Sequence, residues 1–541
     1  MYLNKNMVVK NICLFIFIVI LYACQQPENS YFIVPQPNQI EHKIGKFKLS
    51  DGVQMAVPFS DEKMKNVVLQ FKEQILKTSG IDIPIVDIDM HKEVHGVIFV
   101  KCDTLSDESY VVDVGKNLVK VEASSAIGTF YAIQTLYQLL PIEVYGNSLI
   151  DSVEWEMPCV RIYDSPCFSY RGVLLDVSRH FMPVPVVKQF IDLMAQSKLN
   201  RLQWHLTDDQ GWRIEIKKYP KLTTIGSVRR ATMVGWDEKL KDGKEHRGFY
   251  TQEEAKDIVR YAAERGITII PEIELPGHSM AALAAYSELS CKLEQKYEVG
   301  ETWGVYKQVY CPKESTFSFL EDVFTELFSI FPSEYYHIGG DECPKDSWKK
   351  CLFCQSLIKE QGLQDEYELQ SYFIKRVEAF LNTNGKKVLG WDEICQGGLA
   401  PNASVTVRNG EATCCEVVSQ GHQAVVTYAY LDYFQEPEET SSDLCAPGGF
   451  LFLDQVYEYE PIPVSLSAAE RKYIKGVQAC LWTEYIATPE RLIRQAYPRI
   501  FAFSEVAWTR PKLKDTTSFY KRLPIALKRL NIQGFKEYVA K

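Results

Sequence analysis

Two adjacent carboxylates, Asp341 and Glu342, directly follow a short apolar run, and acidic residues follow most other runs of the same kind. Paired carboxyl groups suit general acid–base chemistry, because one can hold a proton while the other stays charged. Aromatic rings among them can stack on sugar faces. The residues after the eight runs are Ser178-Arg179-His180, Thr207-Asp208-Asp209, 274–278, Gly340-Asp341-Glu342, Trp391-Asp392-Glu393, Arg408-Asn409, Tyr430-Leu431-Asp432 and Trp482-Thr483-Glu484. This combination indicates a site for a polyhydroxylated substrate.

The elements that position these residues are apolar β-type runs separated by helical patterns of a dozen or more residues. A capping box from Thr251 to Glu254 opens one helix, and residues 317–331 are apolar at helical spacing. We predict strands at 172–177, 201–206, 267–273, 335–339, 387–390, 404–407, 423–427 and 476–481. Strand and helix alternating eight times predict an α/β fold of the (β/α)₈ TIM-barrel type, in which the residues that follow the strands converge on one mouth.

A smaller α/β domain is predicted over residues 25–160, ahead of a catalytic barrel over 161–541 that includes a C-terminal helical extension. The 541 residues exceed one core of ordinary size. The leading region contains β-rich runs at 96–100 and 117–121 and helical patterns at 63–78 and 126–140. No catalytic constellation stands out in it.

The composition is that of a soluble globular protein, with 46% hydrophobic and 24% charged residues. The net charge of -10 is spread over the chain without a basic run, so nothing attracts a phosphate backbone. We therefore predict no nucleic-acid partner.

Thirteen cysteines follow Cys24, an odd number without the regular spacing of a disulfide framework, and we expect most of them to be free and buried. Cys351 and Cys354 have the spacing of a zinc-binding pair, but the sequence offers no second pair at a suitable distance. We interpret the two cysteines as side chains that pack on a helix, and we predict no metal site.

The first residues have the pattern of an export signal. Lys5 and Lys10 precede an uncharged apolar run over 12–23, which is too short to span a bilayer but suits the central region of a signal peptide. The run ends at Cys24 in a sequence that resembles the lipidation site of bacterial lipoproteins. We predict that residues 1–24 are a signal peptide and that a lipid on Cys24 anchors the protein to the bacterial cell envelope, facing the periplasm or the outer surface. An ordinary signal peptide cleaved nearby is the alternative.

The segment His337-Ile338-Gly339-Gly340-Asp341-Glu342 resembles the signature of the family-20 glycoside hydrolases, the β-N-acetylhexosaminidases. The resemblance extends from about residue 30 to the C-terminus. It implies an exo-acting enzyme that needs no cofactor and releases terminal β-linked N-acetylglucosamine or N-acetylgalactosamine from glycans. It also implies substrate-assisted retaining catalysis, in which the sugar's own acetamido oxygen attacks the anomeric carbon.

The resemblance implies a role for each acid of the pair. Asp341 orients the acetamido group and stabilises the charge that develops on it. Glu342 is the general acid and later the general base, which requires a carboxyl group kept protonated near working pH by burial or by nearby negative charge.

Other roles carry over by the same resemblance. Arg179 binds ring hydroxyls, Asp208 helps to set the site, and His278 supports the acid. Glu274 stands where the family usually has Asp, and we expect this difference to alter the orientation of His278 and thereby the pKa of the acid.

The resemblance further implies an acetamido pocket. Tyr430 binds the acetamido carbonyl, with Asp432 as its companion. Trp391 and Trp482 form two walls, and Glu484 accepts sugar hydroxyls.

Arg408 occupies the position that we align with a third tryptophan common in the family. Its guanidinium could stack in the pocket, or could bind an anionic substituent and so favour a sulfated or acidic sugar. Alternatively, the alignment is shifted by a residue and Arg408 points elsewhere.

Two other classes of function remain as alternatives. One is a catalytically weak surface glycan-binding protein on the same barrel, which the intact Asp341 and Glu342 disfavour. The other is a metal-dependent barrel hydrolase with four candidate ligands: His180, His205, His278 and His337.

Overall fold

A closed barrel of eight parallel strands forms the larger part of the computed structural model, which describes residues 31–89, 94–235, 237–292, 295–428 and 450–535. The strands are Tyr170–Asp176, Arg201–His205, Thr268–Leu275, Tyr335–Gly339, Lys387–Trp391, Ser404–Val407, Ala424–Val426 and Ile474–Leu481. The last strand pairs in parallel with the first, in register from Gly476 beside Tyr170, and this pairing closes the barrel. The predicted TIM barrel and its eight strands are therefore confirmed.

Helices and short strands connect the barrel strands. The helices outside the smaller domain are Val184–Gln196, Lys221–Thr224, Gln252–Ala263, Met280–Ala285, Glu314–Phe328, Asp346–Lys350, Leu352–Glu360, Glu366–Thr383, Glu411–Ser419, Leu453–Glu458, Pro489–Ala496, Arg499–Trp508 and Thr516–Ile532. The short strands pair as Thr207–Asp208 with Gly211–Trp212, Val228–Arg229 with His246–Arg247, and Met233–Val234 with Asp237–Lys241. Single 3₁₀ turns lie at Ser287–Leu289, Asp392–Cys395, Glu470–Tyr473 and Pro511–Leu513.

Two of the predicted helices show how local sequence fixes these elements. The Thr251 side chain accepts a hydrogen bond from the Glu254 backbone, and the Glu254 carboxylate accepts one from the Thr251 backbone, which confirms the capping box. The helix Glu314–Phe328 buries the apolar side of its surface, including Phe317, Leu320 and Phe324.

The smaller domain is a mixed seven-stranded sheet with two helices. Along the sheet the strands are Gln39–Lys48, Glu156–Asp164, Tyr110–Val114, Leu118–Ala123, Gly96–Lys101, Gln54–Val57 and Ile85–Asp87. The helices are Glu62–Ser79 and Ala126–Leu139, and a 3₁₀ turn follows at Ile142–Tyr145. A small α/β domain before the barrel is therefore confirmed. Its last strand, Glu156–Asp164, spans residue 160, where the sequence analysis put the boundary.

Buried polar contacts join the two domains. The Asp164 carboxylate, at the end of the small domain's last strand, accepts hydrogen bonds from Trp508 Nε1 at 2.9 Å and from Tyr110. Lys198 Nζ lies 2.9 Å from the same carboxylate, and both side chains are fully buried. Near the start of the described residues, the Ile33 carbonyl accepts a hydrogen bond from Arg522 of the last helix at 2.8 Å.

None of the helices in the described ranges has the length and apolar character needed to cross a bilayer. The predicted signal segment 1–24 and its Cys24 lie outside the described residues. No two described cysteines form a disulfide, and five of the twelve are buried. The expectation of mostly buried thiols is thus too strong, because more than half of them retain some exposure.

Candidate active site

Nine of the eleven predicted site residues lie in one cluster at the mouth of the barrel. They are Arg179, Asp208, His278, Asp341, Glu342, Trp391, Arg408, Trp482 and Glu484. The other two, Tyr430 and Asp432, lie outside the described residues. The convergence follows from the barrel, since each of the nine lies at or after the carboxyl end of a strand.

Two glycines make the turn that presents the acid pair. Gly339 and Gly340 have positive φ angles of 64° and 90°. A Cβ on Gly339 would lie 1.7 Å from the Glu274 Oε2 atom, and a Cβ on Gly340 would lie 2.4 Å from Ile394. Only glycine fits either position without displacing a neighbour. The Gly-Gly sequence is therefore a steric requirement of this turn.

Asp341 is a buried carboxylate with one unused oxygen. Its Oδ2 atom lies 3.5 Å from Arg408 Nη1, whereas Oδ1 has no hydrogen-bond partner among the described residues. Burial raises the pKa of Asp341, and the nearby charges of Arg408 and His278 oppose that rise. A buried acceptor without a donor is costly, so Oδ1 is available for a ligand's N–H or O–H group.

Glu342 lies between two cations. Its Oε2 atom is 3.5 Å from His278 Nε2 and its Oε1 atom is 3.5 Å from Arg408 Nη2, while 43% of its side chain is exposed. The hydrogen bond to His278, with the charges of His278 and Arg408, lowers the pKa of Glu342 to about 2. The expectation of a carboxyl group held protonated by burial or negative charge is therefore wrong for the ligand-free site, because its nearest charged neighbours are cationic.

His278 connects Glu342 to two buried acids. Its Nδ1 atom lies 3.0 Å from Asp209 Oδ2 and 3.2 Å from Asp208 Oδ1. Burial opposes a charge on the imidazole, but the two carboxylates outweigh it and hold the pKa of His278 well above its usual value. His278 therefore bridges Asp208 and Asp209 to Glu342, in surroundings that favour its protonated form.

The Glu274 carboxyl lies beside Gly339 and 3.8 Å from His205 Nδ1. Asp208 and Asp209 orient His278, while the Glu274 carboxyl packs against Gly339, beneath the acid pair. Burial and the charge of Asp341 raise the pKa of Glu274 well above its usual value. The surroundings of Glu274 thus disfavour its charged form, and the expected effect on the orientation of His278 stays a prediction.

Two buried carboxylates hold the Arg179 side chain in place. Its Nη2 atom lies 2.8 Å from Asp208 and its Nη1 atom 3.3 Å from Asp176. The guanidinium lies 5.1 Å from the centroid of the Trp482 ring, an arrangement typical of a cation–π contact. Burial raises the pKa of the neighbouring Glu484, and the charge of Arg179 opposes that rise.

Trp391 and Trp482 form adjacent walls, with ring centroids 5.7 Å apart at an angle of 41°. Trp391 is fully buried, and its Nε1 donates to Glu272 Oε1 at 3.1 Å. Glu272 also lies 2.8 Å from ring nitrogens of both His205 and His337. The Trp391 ring is therefore oriented by the buried Glu272 carboxylate, which two histidines hold in place.

The Arg408 side chain lies within this cluster. Its Nε donates to Glu393 at 3.1 Å, a second guanidinium nitrogen contacts the same oxygen, and the group lies 5.6 Å from the Trp391 ring centroid. With Asp341 and Glu342 at 3.5 Å, the guanidinium faces three carboxylates. Among the three interpretations left open, the structure therefore supports those that place Arg408 in the pocket.

Several acids in the site were not assigned a role from the sequence, among them Asp209, Glu272 and Glu393. Asp209 and Glu393 stand in the segments that follow strands two and five, and Glu272 lies inside strand three. Each acts through a partner on another strand, and the chain's own spacing does not reveal such pairs. The only available signal was the number of acids after the strands.

Three of the four histidines of the metal-hydrolase alternative are linked through shared carboxylates, because His205 and His278 both contact Asp208. His205 and His337 flank Glu272, His278 joins Asp208 and Asp209, and the His180 backbone N–H donates to Thr483. Three small groups at the mouth have potential ligand atoms within 4.8 Å of one another: His205 with Glu272 and Glu274, His278 with Asp208 and Asp209, and His278 with Asp341 and Glu342. Each is already an acid–imidazole contact of the network described above.

A parallel barrel that holds a carboxylate pair beside tryptophan walls is the architecture of a glycoside hydrolase. Residues 168–511 match the family described as glycosyl hydrolase family 20, catalytic domain, and residues 30–165 match domain 2 of the same family. The protein therefore belongs to glycosyl hydrolase family 20.

Relatives and solved structures agree with this assignment. A beta-hexosaminidase of Porphyromonas gingivalis is 43% identical over 516 residues, which are 94% of this chain and 64% of that protein's length. A beta-hexosaminidase of Akkermansia muciniphila is 34% identical over 79% of this chain and 85% of its own. The crystal structure of an exo β-N-acetylglucosaminidase from Vibrio harveyi, in complex with N-acetylglucosamine, superposes with a TM-score of 0.81 at 32% identity, covering 94% of this chain and 78% of its own. A β-N-acetylhexosaminidase from Bacteroides fragilis gives 0.79 at 30% identity, covering 93% and 96%.

Proposed function

We propose that this glycoside hydrolase is an exo-acting β-N-acetylhexosaminidase that releases terminal β-linked N-acetylglucosamine or N-acetylgalactosamine from glycans. The observation that carries the proposal is the buried Asp341 carboxylate, which precedes the acid Glu342 in the chain and whose Oδ1 atom has no hydrogen-bond partner among the described residues. An acetamido N–H supplies the donor that Oδ1 lacks. Related chains named beta-hexosaminidase support the same assignment.

In the first step the acetamido carbonyl oxygen of the substrate forms a bond to the anomeric carbon. The bond from that carbon to the leaving oxygen breaks, and Glu342 gives its proton to the leaving oxygen. The cyclic oxazolinium ion that results carries positive charge on nitrogen. Asp341 accepts the hydrogen bond of that N–H and stabilises the charge from a buried position, where the interaction is weakly screened.

In the second step Glu342, now a carboxylate, takes a proton from water. The water oxygen attacks the anomeric carbon from the face that the first leaving group occupied. The ring of the oxazolinium ion opens to regenerate the acetamide. The β configuration is therefore retained, and the enzyme contributes no covalent nucleophile.

The sugar itself must raise the pKa of Glu342 for the first step. In the ligand-free site 43% of this side chain is exposed, and two cations favour its charged form. A bound sugar covers the exposed face, and loss of water disfavours the carboxylate. The acid thus becomes protonated as the substrate binds.

Recognition of the terminal sugar is assigned to the rest of the cluster. Arg179 and Glu484 face hydroxyl groups of the ring, and Trp391 and Trp482 flank the acetamido methyl. The roles of Tyr430 and Asp432 remain predictions from the family resemblance.

The experiment that tests the proposal compares two chromogenic β-glycosides. One carries N-acetylglucosamine, and the other carries glucose, which lacks the amide. We expect the first to be cleaved at least about 10³-fold faster, since the nucleophile is part of that substrate. Equal rates, or a trapped bond between sugar and protein, would contradict the mechanism. Binding without cleavage of any amide substrate would instead support the glycan-binding alternative.

A preference for anionic sugars is a separate part of the proposal, and it depends on Arg408. Three carboxylates already surround this guanidinium, so an incoming sulfate would meet their repulsion as well as its attraction. Release rates on 6-O-sulfated and unmodified N-acetylglucosaminides decide the matter. A sulfate preference that disappears in Arg408→Trp would show that the guanidinium binds the substituent, whereas equal rates would assign Arg408 to the acid pair alone.

We also propose that the protein is exported and anchored through a lipid on Cys24, on the basis of the sequence pattern at residues 1–24. Incorporation of an alkyne-labelled fatty acid in the native host tests this. Cys24→Ala should abolish the label. Unchanged labelling in that variant, or no labelling of the wild type, would overturn the anchor.

A further inference from the structure

Four cysteines from two separate loops meet outside the active site. Cys291 and Cys311 lie in the connection after the third barrel strand, and Cys351 and Cys354 lie in the connection after the fourth. Their sulfur atoms all lie within 4.8 Å of one another. We propose that they bind one structural zinc ion.

The sulfur positions suit a tetrahedral metal better than a disulfide. Cys354 Sγ lies 3.7 Å from Cys291 Sγ and 3.7 Å from Cys311 Sγ. A zinc ion at about 2.3 Å from each of four tetrahedral sulfurs requires sulfur–sulfur distances of about 3.8 Å. A disulfide requires about 2.05 Å. The two observed separations match the spacing required of sulfur ligands to one ion.

The backbone around the cluster is suited to hold it. Ser290 and Tyr310 form an antiparallel bridge, and the Cys311 N–H donates to the Leu289 carbonyl at 2.8 Å, so Cys291 and Cys311 stand on paired extended segments. Cys351 is the N-cap of the helix Leu352–Glu360, and Cys354 lies in its first turn.

The electrostatic surroundings favour a charged tetrathiolate. The N-terminus of the helix Leu352–Glu360 directs its positive dipole at this end, which stabilises thiolates. Lys313 adds a cation close by, with its Nζ donating to the Ser290 carbonyl at 2.7 Å. These features partly compensate the two negative charges that four thiolates and one Zn²⁺ carry together.

The cluster is largely shielded from water, as a structural metal site requires. Cys311 and Cys354 are fully buried, and the side chains of Val309, Trp348 and Leu369 pack in the same apolar group. Four sulfur ligands leave no open position for a substrate, and sulfur ligands of this kind select zinc over magnesium or calcium.

The metal would fix the two loops that carry the catalytic groups. One loop contains His278 and the other contains Glu342, and they already touch where Trp348 Nε1 donates to the Tyr310 carbonyl at 2.9 Å. The Tyr310 N–H in turn donates to Pro276, two residues before His278. A zinc ion between these loops therefore restricts the relative movement of His278 and Glu342.

The test is the metal content of the full chain, purified without a histidine tag or chelator after growth with added zinc. Elemental analysis should find about one zinc per chain in the wild type and less than about a tenth of that in Cys354→Ser. Cys415→Ser is the matched control, because Cys415 lies on another helix outside the cluster, and it should keep its zinc.

Replacement by cobalt keeps the test decisive if the Cys354→Ser protein does not fold. Cobalt(II) bound to the wild type should show the intense visible and near-ultraviolet bands of a tetrahedral tetrathiolate. A wild type without metal, one with iron in place of zinc, or a disulfide among the four cysteines in peptide mass spectra would overturn the proposal. None of these outcomes depends on the hexosaminidase activity.

Discussion

His278 Nε2 lies 3.5 Å from Glu342 Oε2, so the acid at the barrel mouth is coupled to the buried carboxylates behind the imidazole. This contact, with Arg408, holds the pKa of Glu342 at about 2 in the ligand-free site. In the proposed mechanism, substrate binding therefore has to raise the pKa of Glu342 before this residue can act as an acid.

The first prediction concerns this coupling. His278→Asn removes a cation from beside Glu342, and asparagine tolerates the positive φ of 47° at this position. The carboxylate loses stabilisation, so the pKa of Glu342 rises and the protonated acid persists to higher pH. Carbon-13 NMR titration of the glutamate carboxyls should show the rise. His422→Asn, at the opposite end of the barrel, should leave the titration unchanged, and an unshifted Glu342 in His278→Asn would refute the coupling.

The second prediction separates acid catalysis from binding. Glu342→Gln should lower kcat on a 4-nitrophenyl N-acetylglucosaminide by about 10²–10⁴-fold, because the leaving oxygen receives no proton. A 2,4-dinitrophenyl substrate, whose leaving group is a much weaker base, should lose far less. Equal losses on both substrates would show that Glu342 is not the general acid.

The third prediction concerns the charge of Asp341. Asp341→Asn should lower kcat by about 10²–10³-fold, since a neutral amide cannot stabilise the oxazolinium cation. The affinity for the product N-acetylglucosamine should change little, because the ground-state amide is neutral. Calorimetry on the variant measures that affinity. A full rate in the variant would rule out substrate assistance by Asp341.

The fourth prediction compares two glycines with similar backbone angles. Gly339 and Gly385 have φ of 64° and 68°, but a Cβ at 339 meets the Glu274 carboxyl, whereas one at 385 has nothing within 4 Å. Gly385→Ala should cost about 1 kcal/mol of unfolding free energy, and Gly339→Ala about 2–4 kcal/mol. Urea denaturation measures both. Adding Glu274→Ala should recover part of the loss at 339, and no recovery would contradict the steric explanation.

The fifth prediction tests the buried contact between the domains. Lys198→Met leaves the Asp164 carboxylate without its cation in a fully buried position. The expected cost is about 3–5 kcal/mol of unfolding free energy. Lys188→Met breaks a pair with Asp257 that remains partly exposed, and it should change stability little. Similar urea midpoints for the two variants would mean that Asp164 finds other compensation.

The sequence predicted most of the barrel because its strands are buried apolar runs that end at polar residues, as at Tyr335–Gly339 before Asp341. It also predicted nine residues that reach the mouth, since the barrel brings together side chains at the carboxyl ends of its strands. It did not predict the ionised state of Glu342, which depends on distances to His278 and Arg408.

The cysteine cluster is a second feature that the sequence did not predict, because it too depends on distances between residues far apart in the chain. Cys351 and Cys354 alone have a recognisable spacing, while Cys291 and Cys311 join them only through the packing of two loops. A ligand set divided between loops that are distant in the chain leaves no local pattern in the sequence.

The hydrogen bond from Arg522 to the Ile33 carbonyl has a consequence for synthesis in the cell. Residues at the beginning of the structure obtain one of their donors from the last helix, Thr516–Ile532. During translation the small domain therefore emerges hundreds of residues before that helix leaves the ribosome. The first described segment of this domain therefore lacks its hydrogen bond to Arg522 until the rest of the polypeptide has been made.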